Sequence, residues 1–436
     1  MPKRLIANLR NSIGIDKLLN MTEGIRPRKS KLLRRPLALV ALATTSSLVA
    51  RSFLIEPLLF RIERTLQHPF ATETESDLSL TIGAGGDGVS ACLLIMDDNH
   101  FLIEWLAYHF YYLPLRRLIV AVDPLSKTSP QHILDRYHSR GLINITVWND
   151  TDFFPIGRRR RHEKNQPMLH VVRQDHFILE CLKTLKRENR TWVTHIDTDE
   201  FIVPNRYANP IYNFTHHEKV YSLLTDPPNV HWRNVTKKES ACHPMIRLDV
   251  GTKESPDEVV QQGVPDGLLN GSQFLTYRYG WPQSIRAKRK PGKALLDLSR
   301  VPFGDLHVGN TNPHRPVKNH CTQHDAFPTV PRSPFSVYHY TGTFEQFSYR
   351  KDGRNSRSRE EHSKRYFEHR YEDSAKFWLE GFVQEVGPRM AKILLEGVGV
   401  LEPLPKNMST SVRGSDDGVQ SGNASSKETF TDRSNG

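Results

Sequence analysis

The sequence is poor in the features that name a function quickly. Its 436 residues contain only four cysteines, none in a CxxC or Cys/His spacing, so a structural zinc site is excluded. No internal repeat appears, which excludes solenoids and propellers. Cationic excess is also scarce where a fold would need it. The net charge of +12 comes mostly from residues 1–35, where Lys3, Arg4, Arg10, Lys17, Arg26, Arg28, Lys29, Lys31, Arg34 and Arg35 face only Asp16 and Glu23. The rest of the chain carries just +4, too little to grip a polyphosphate backbone, and this argues against a nucleic-acid partner.

Long hydrophobic runs are equally rare. One follows the basic tail: PLALVALATTSSLVA (36–50), then Arg51 and Phe53-Leu54-Ile55. It approaches the ~20 residues of a spanning helix only if Arg51 snorkels to the interface. Cations cluster before it, so the positive-inside rule makes 36–55 a signal anchor with a cytosolic tail and a lumenal remainder. The alternatives are a mildly hydrophobic helix of a soluble protein or part of a transit peptide. Asn-x-Ser/Thr sequons at Asn144, Asn149, Asn189, Asn213, Asn234, Asn270, Asn407 and Asn423 favour the lumenal side, since chance supplies about two or three. Cys92, Cys181, Cys242 and Cys321 all follow the run, so an oxidising compartment permits two disulfides in any of three pairings. Cys92, inside an apolar strand-like run, also reads as a buried free thiol.

Residues 56–90 end in TIGAGGDGVS and read as a stem, and 401–436 lack any apolar period and read as a disordered tail. The folded part is 91–400. Within it, ACLLIM (91–96), LIVAV (118–122), INITVW (143–148) and WVTHI (192–196) read as strands. Helices are expected over 101–112, 130–140 and 168–187. This alternation predicts a doubly wound α/β sheet with ligands at the carboxyl ends of its strands, where Asp123 and Asp197 lie. Past residue 205 the pattern loosens. A strand at 335–340 and a helix around 375–397, bent at Pro388, close the domain.

The chemistry centres on Asp197-Thr198-Asp199. Carboxylates at i and i+2 past a buried strand can converge on one hard cation, Mn2+ or Mg2+, with the central Thr198 kept away from it. Open positions on such an ion suit the phosphate oxygens of a nucleotide-sugar donor, and the ion would stabilise the departing diphosphate. The apolar Phe201-Ile202-Val203 that follows implies half-buried acids needing partners. The run Arg286–Lys293 could donate to the diphosphate through Lys290 or Lys293, or be a solvated loop, and Arg158–Arg161 reads as a solvated loop. Glu104 and His109, at i and i+5 on one helix, read as core packing.

HIDTDEFIVP (195–204), preceded by Arg173-Gln174-Asp175 and Trp192, resembles the Asp-x-Asp-Glu-Phe region of glycosyltransferase family 92 and its family 2-like neighbours. ACLLIMDDNHFLIEWLAYH resembles their first strand and following helix, AVDP (121–124) their acid after the second strand, and HYTGTFEQFSYRKDGR (339–354) their closing His-Tyr segment. The resemblance implies a single catalytic domain of GT-A fold, a uridine diphosphate sugar donor, a glycan acceptor and inversion. It implies that Asp97, Asp98 and Asp123 border the nucleoside, with Arg173 and Gln174 near the donor. The usual Asn-Glu after the first strand is replaced by Asp97-Asp98-Asn99-His100. It implies a third metal ligand in His339, with His307 second. Inversion needs an acceptor-side base, for which Asp305 and Glu345 are the candidates. The expected activity is hexosyl transfer in the Golgi lumen by a single-pass type II glycoprotein. The competing readings are a metal-dependent phosphoesterase and a non-catalytic lumenal binding protein.

Overall fold

Strand β1 (Val89–Ile95) is a run of apolar residues buried on both faces, as a central parallel strand must be. It runs into α1 (Asn99–Tyr112), which is apolar on nearly every side and therefore lies inside the core. Strand β2 (Leu115–Val122), α2 (Gln131–His138) and β3 (Asn144–Trp148) follow. Then come α3 (Gln166–Arg187), β4 (Trp192–Thr194) and β5 (Glu200–Pro204). The second half adds β6 (Cys242–Val250), β7 (Lys293–Asp297), β8 (Phe335–Tyr340), α4 (Phe344–Tyr349), α5 (Trp378–Val386) and α6 (Pro388–Leu394). The structure is a computed structural model and describes residues 88–162, 166–205, 241–267, 270–284, 291–321, 335–350, 358–364 and 371–403. The expected tail, anchor, most of the stem and nearly all of 401–436 fall outside these residues, as does Lys290. Among the described residues no helix is long and apolar enough to cross a membrane.

The described strands form one mixed sheet in the order β3-β2-β1-β4-β7-β6-β8-β5. From β3 to β4 all neighbours are parallel. Beyond β4 the pairings β4–β7, β7–β6 and β8–β5 are antiparallel, and β6–β8 is parallel. The doubly wound expectation therefore holds for the first half only. Register then decides the site. His339 on β8 lies opposite Glu200 of β5 on one side and Asp249 of β6 on the other.

Three further expectations are corrected. The helix around 375–397 is two helices, because Gly387, at φ +80°, ends α5 and Pro388 begins α6 at a position where its missing N–H is not needed. Arg158–Arg161 are exposed but lie on a short helix, Ile156–His162. Cys92 is not a free thiol, since it is bonded to Cys181 and pins β1 to α3. The second disulfide, Cys242–Cys321, ties the start of β6 to the turn at 317–321.

Candidate active site

A cleft of about 220 Å³ opens at the carboxyl ends of β1 and β2. Ile95, Met96, Asp98, Asp123, His170 and Gln174 line it from the first half, and Arg247, Lys293, His314 and Arg350 from the second, with Asp197 and Thr198 between. Thr198, between the two acids, is also part of the wall.

The first-half wall is tightly satisfied. Asp97 adopts a left-handed backbone (φ +55°), which Asp tolerates better than most residues. Its Oδ1 accepts from the Lys127 amide (2.6 Å), the Thr128 amide (2.9 Å) and the Thr128 hydroxyl (3.1 Å). Asp97 thereby holds the loop after β2 and does not line the cleft. Asp98 does line it, accepting from the Met96 amide at 2.9 Å. Burial pushes its carboxyl up to about 6, against the pull of Arg350 and that amide. Asp123 accepts from Arg173 at 2.8 Å and from the Leu125 amide at 2.9 Å. Burial works to raise its pKa, but His170, the Leu125 amide and Arg173 hold it below the usual carboxylate range. Arg173 also binds Asp150 at 3.0 Å, so it bolts α3 to the ends of β2 and β3 rather than facing the cleft. Gln174 reaches the cleft and donates to His195 Nε2 at 3.4 Å, and His195 Nδ1–H donates to the Cys92 carbonyl at 2.9 Å. Burial and Lys293 lower His195 to about 4, so it is neutral at pH 7.

The second half meets the Asp-x-Asp turn with cations. The turn closes through the Glu200 amide donating to the Asp197 carbonyl (3.0 Å) and the Asp197 amide donating to Glu200 Oε2 (3.0 Å). Lys293, 1% exposed, sits 3.1 Å from Asp197 Oδ2 and 3.0 Å from Glu200 Oε2. Burial would raise the Asp197 pKa, yet Lys293, His195 and Arg247 hold it well below the usual range. Arg247 Nε lies 3.3 Å from Glu200 Oε1 and 3.8 Å from Asp249 Oδ1, close enough to pair but off the angle of a hydrogen bond. His339 faces Asp249 Oδ1 with Nδ1 at 3.2 Å, again off-angle, and Asp199 Oδ2 with Nε2 at 3.6 Å. Arg350 bridges Asp98 Oδ1 (3.2 Å) and Asp199 Oδ2 (3.4 Å).

A divalent cation suits these donors. Asp199 Oδ1 is buried and accepts no hydrogen bond from the described residues, and an unpaired buried carboxylate oxygen is costly. With Asp197 and the His339 imidazole it offers two hard oxygens and a nitrogen, a set Mn2+ accepts. The arrangement is not yet a cage. Among the described residues no group of three or more His, Cys, Asp or Glu side chains is assembled to hold an ion. Lys293 and Arg350 stand against the two carboxylates instead.

Three expected residues are not brought here. His307 is exposed, with Nδ1 3.1 Å from the Val308 carbonyl. Asp305 pairs with His320 at 2.7 Å, and Glu345 is exposed and pairs with Arg359 at 2.8 Å. Sequence reasoning missed Arg247, Asp249, His314 and Arg350. His314 donates from Nδ1 to the Gly292 carbonyl at 2.8 Å and is lowered to about 4 by burial and Lys293.

Comparison with known proteins adds a likeness to a family over part of the chain. Residues 88–261, less than half of the chain, match the model of Glycosyltransferase family 92. The matched segment contains β1, α1, Asp123, Arg173 and the Asp-x-Asp turn, and it does not reach the His-Tyr segment 339–354 that also carries the resemblance. No curated protein matches the chain. Among solved structures, the chain is similar to the galactosyltransferase LgtC in complex with donor and acceptor sugar analogs, at 10% identity, covering 73% of this chain and 98% of that one with a TM-score of 0.23. It is also similar to an active-site mutant of LgtC, at 11% identity, 68% and 95% coverage and a TM-score of 0.21. Scores this low carry no argument about this chain.

Proposed function

We propose, from the premise that this chain is a glycosyltransferase with a family 92 match over residues 88–261, that it moves a hexose from a uridine diphosphate sugar to a glycan acceptor, with inversion. The observation that carries the reading is the meeting, in one cleft, of the Asp123 wall with Asp197 and the cationic wall, beside the orphaned Asp199 Oδ1.

Asp197, Asp199 and His339 are the residues to hold the divalent ion, which supplies Lewis-acid neutralisation of the departing diphosphate. In this reading Asp123, held by Arg173, accepts from the nucleoside, and Gln174 donates at the same wall. Lys293 keeps Asp197 ionised and its carboxylate in place. The acceptor hydroxyl must lose its proton to a base on the far face of the sugar. Asp305 and Glu345, each paired elsewhere, do not reach the cleft.

A phosphoesterase would need a second acidic cluster at the end of β1. Asp97 is committed to the Lys127 and Thr128 amides, which speaks against one. We place the catalytic domain in the Golgi lumen of a type II protein. In support, Asn144, Asn149, Asn189 and Asn270 of the sequons are exposed, and two disulfides suit an oxidising compartment.

The test is hydrolysis of a panel of nucleotide sugars by the full chain in detergent, with Mn2+ or with EDTA. Turnover of one donor that needs Mn2+ and vanishes in Asp199→Ala supports the reading. A folded chain that neither binds nor turns over any donor supports a binding protein instead.

A further inference from the structure

The cations around the cleft are not equivalent. Lys293 is fully enclosed between Asp197 and Glu200, and Arg173 is fixed at 2.8 and 3.0 Å between Asp123 and Asp150. Arg247 is wedged between Glu200 and Asp249, both wholly buried. Arg350 differs from Lys293 and Arg173 in three respects. Its side chain is 23% exposed, its pairs with Asp98 and Asp199 are longer than those of Lys293 or Arg173, and it follows the last residue of α4 at the rim of the cleft. It also occupies Asp199 Oδ2, an oxygen of the very carboxylate that the proposed ion requires.

We infer that Arg350 is an exchangeable cation. In the donor-free site it neutralises Asp199 and Asp98, and when a divalent ion takes Asp199 it is released onto the donor's diphosphate. Asp98 keeps the Met96 amide when the guanidinium goes. A planar guanidinium matches two phosphate oxygens at once, so the released group gains a stronger partner than the one it leaves. The exchange couples metal to nucleotide: each ligand removes the obstacle to the other, and by linkage each tightens the other by the same factor. The inference rests on the proposed metal and donor site and adds a binding residue and an order of events to it.

Three titrations of the full chain in detergent test it: Mn2+ alone, uridine diphosphate with EDTA, and uridine diphosphate with saturating Mn2+. Wild type should bind the nucleotide on the order of tenfold tighter with Mn2+ than without. Arg350→Gln should shift the two ligands in opposite directions. Mn2+ alone binds several-fold tighter, because its competitor is gone, while nucleotide with Mn2+ binds about tenfold weaker and nucleotide in EDTA is unchanged. A residue that merely supports the fold would weaken both. Arg350→Lys, which keeps the charge and loses the fork, should fall between, and it carries the same test if the glutamine variant does not fold. Shifts of the same sign, or none, overturn the exchange while leaving the proposed function standing. A folded wild type that binds neither Mn2+ nor uridine diphosphate overturns both.

Discussion

The two halves of the sheet handle charge differently. In the parallel half, three acids are matched at short distance to partners of their own half, Asp97 to two amides and a hydroxyl and Asp123 and Asp150 to Arg173, while Asp98 reaches across to Arg350. In the antiparallel half, Arg247, Asp249 and His339 are packed at 3.2 to 3.8 Å without good angles. The first half is a finished surface against which a nucleoside can be held rigidly. The second is an electrostatic assembly with room to rearrange, which is where transferring charge must be met.

The largest test of this contrast is Asp199→Ala. If the antiparallel half carries the chemistry, transfer should fall by roughly a thousandfold while the folded state survives, because the ion's site is lost and a buried acid with an orphaned oxygen is removed. Donor turnover and thermal unfolding of the same sample separate the two effects. Next is Lys293→Met. Taking one partner from a buried pair leaves Glu200, wholly buried, with Arg247 at 3.3 Å and the Asp197 amide as its remaining partners, and the cost should be about 3 kcal/mol in urea unfolding. Asp197, with its side chain 38% exposed, adds little to that figure. A loss under ~1 kcal/mol would mean that this half is no more dependent on its internal pairs than a surface is.

The same contrast explains what was legible in the sequence. Strands β1 to β3 each overlap one of the apolar runs read from the residues, although β2 begins earlier, at Leu115, and takes in Arg116 and Arg117. Strands β6 (CHPMIRLDV) and β7 (KALLD) carry Arg247, Asp249 and Lys293 inside them. Charges in a strand look like a solvated face when read alone, and their burial becomes visible only when register sets Glu200 and Asp249 on either side of His339 and Asp197 comes up against Lys293. Asp197 and Asp199 could be named because an Asp-x-Asp turn after a buried strand is a local pattern, and His339 only through the family resemblance of its His-Tyr segment. Arg350 could not, because nothing local says that the residue after FEQFSY reaches two acids at the ends of β1 and β4. Asp305 and Glu345 were acids in suitable stretches of sequence that pair with neighbours at 2.7 and 2.8 Å instead.

The disulfides offer a smaller test. Cys92–Cys181 spans 89 residues within the parallel half, and Cys242–Cys321 spans 79 within the other. Cross-links of such length each restrict the unfolded chain, and replacing Cys92 and Cys181 together with alanine should cost about 3 kcal/mol, measured as a urea midpoint shift. Since the loops are similar in length, the Cys242/Cys321 double variant should cost a similar amount. A donor affinity that drops only in the second would assign the rearranging half its own cross-link.

The smallest effect concerns the seam between the halves. Glu104 of α1 is 2% exposed and accepts from the Leu275 amide (2.6 Å), the Thr276 amide (3.0 Å) and the Thr276 hydroxyl (2.6 Å), a hydroxyl that also accepts from Trp378 Nε1 at 3.0 Å. It is a core joint, as its spacing from His109 implied. Burial pushes its carboxyl from 4.5 up to about 7, with the Thr276 and Leu275 bonds and Lys376 opposing. Between those two pH values the folded chain holds a proton that the unfolded chain has released. Fewer protons bound in the unfolded state means that stability falls as pH rises through the window. Glu104→Gln cannot titrate, so the wild type should lose stability relative to the variant from pH 5 to 7 and run parallel to it above. Urea midpoints for the pair at pH 5, 6, 7 and 8 read this directly. A difference that stays constant across the series would mean that Glu104 is ionised in the fold throughout, held by its three donors and Lys376, and that the seam shares the tight matching of the parallel half.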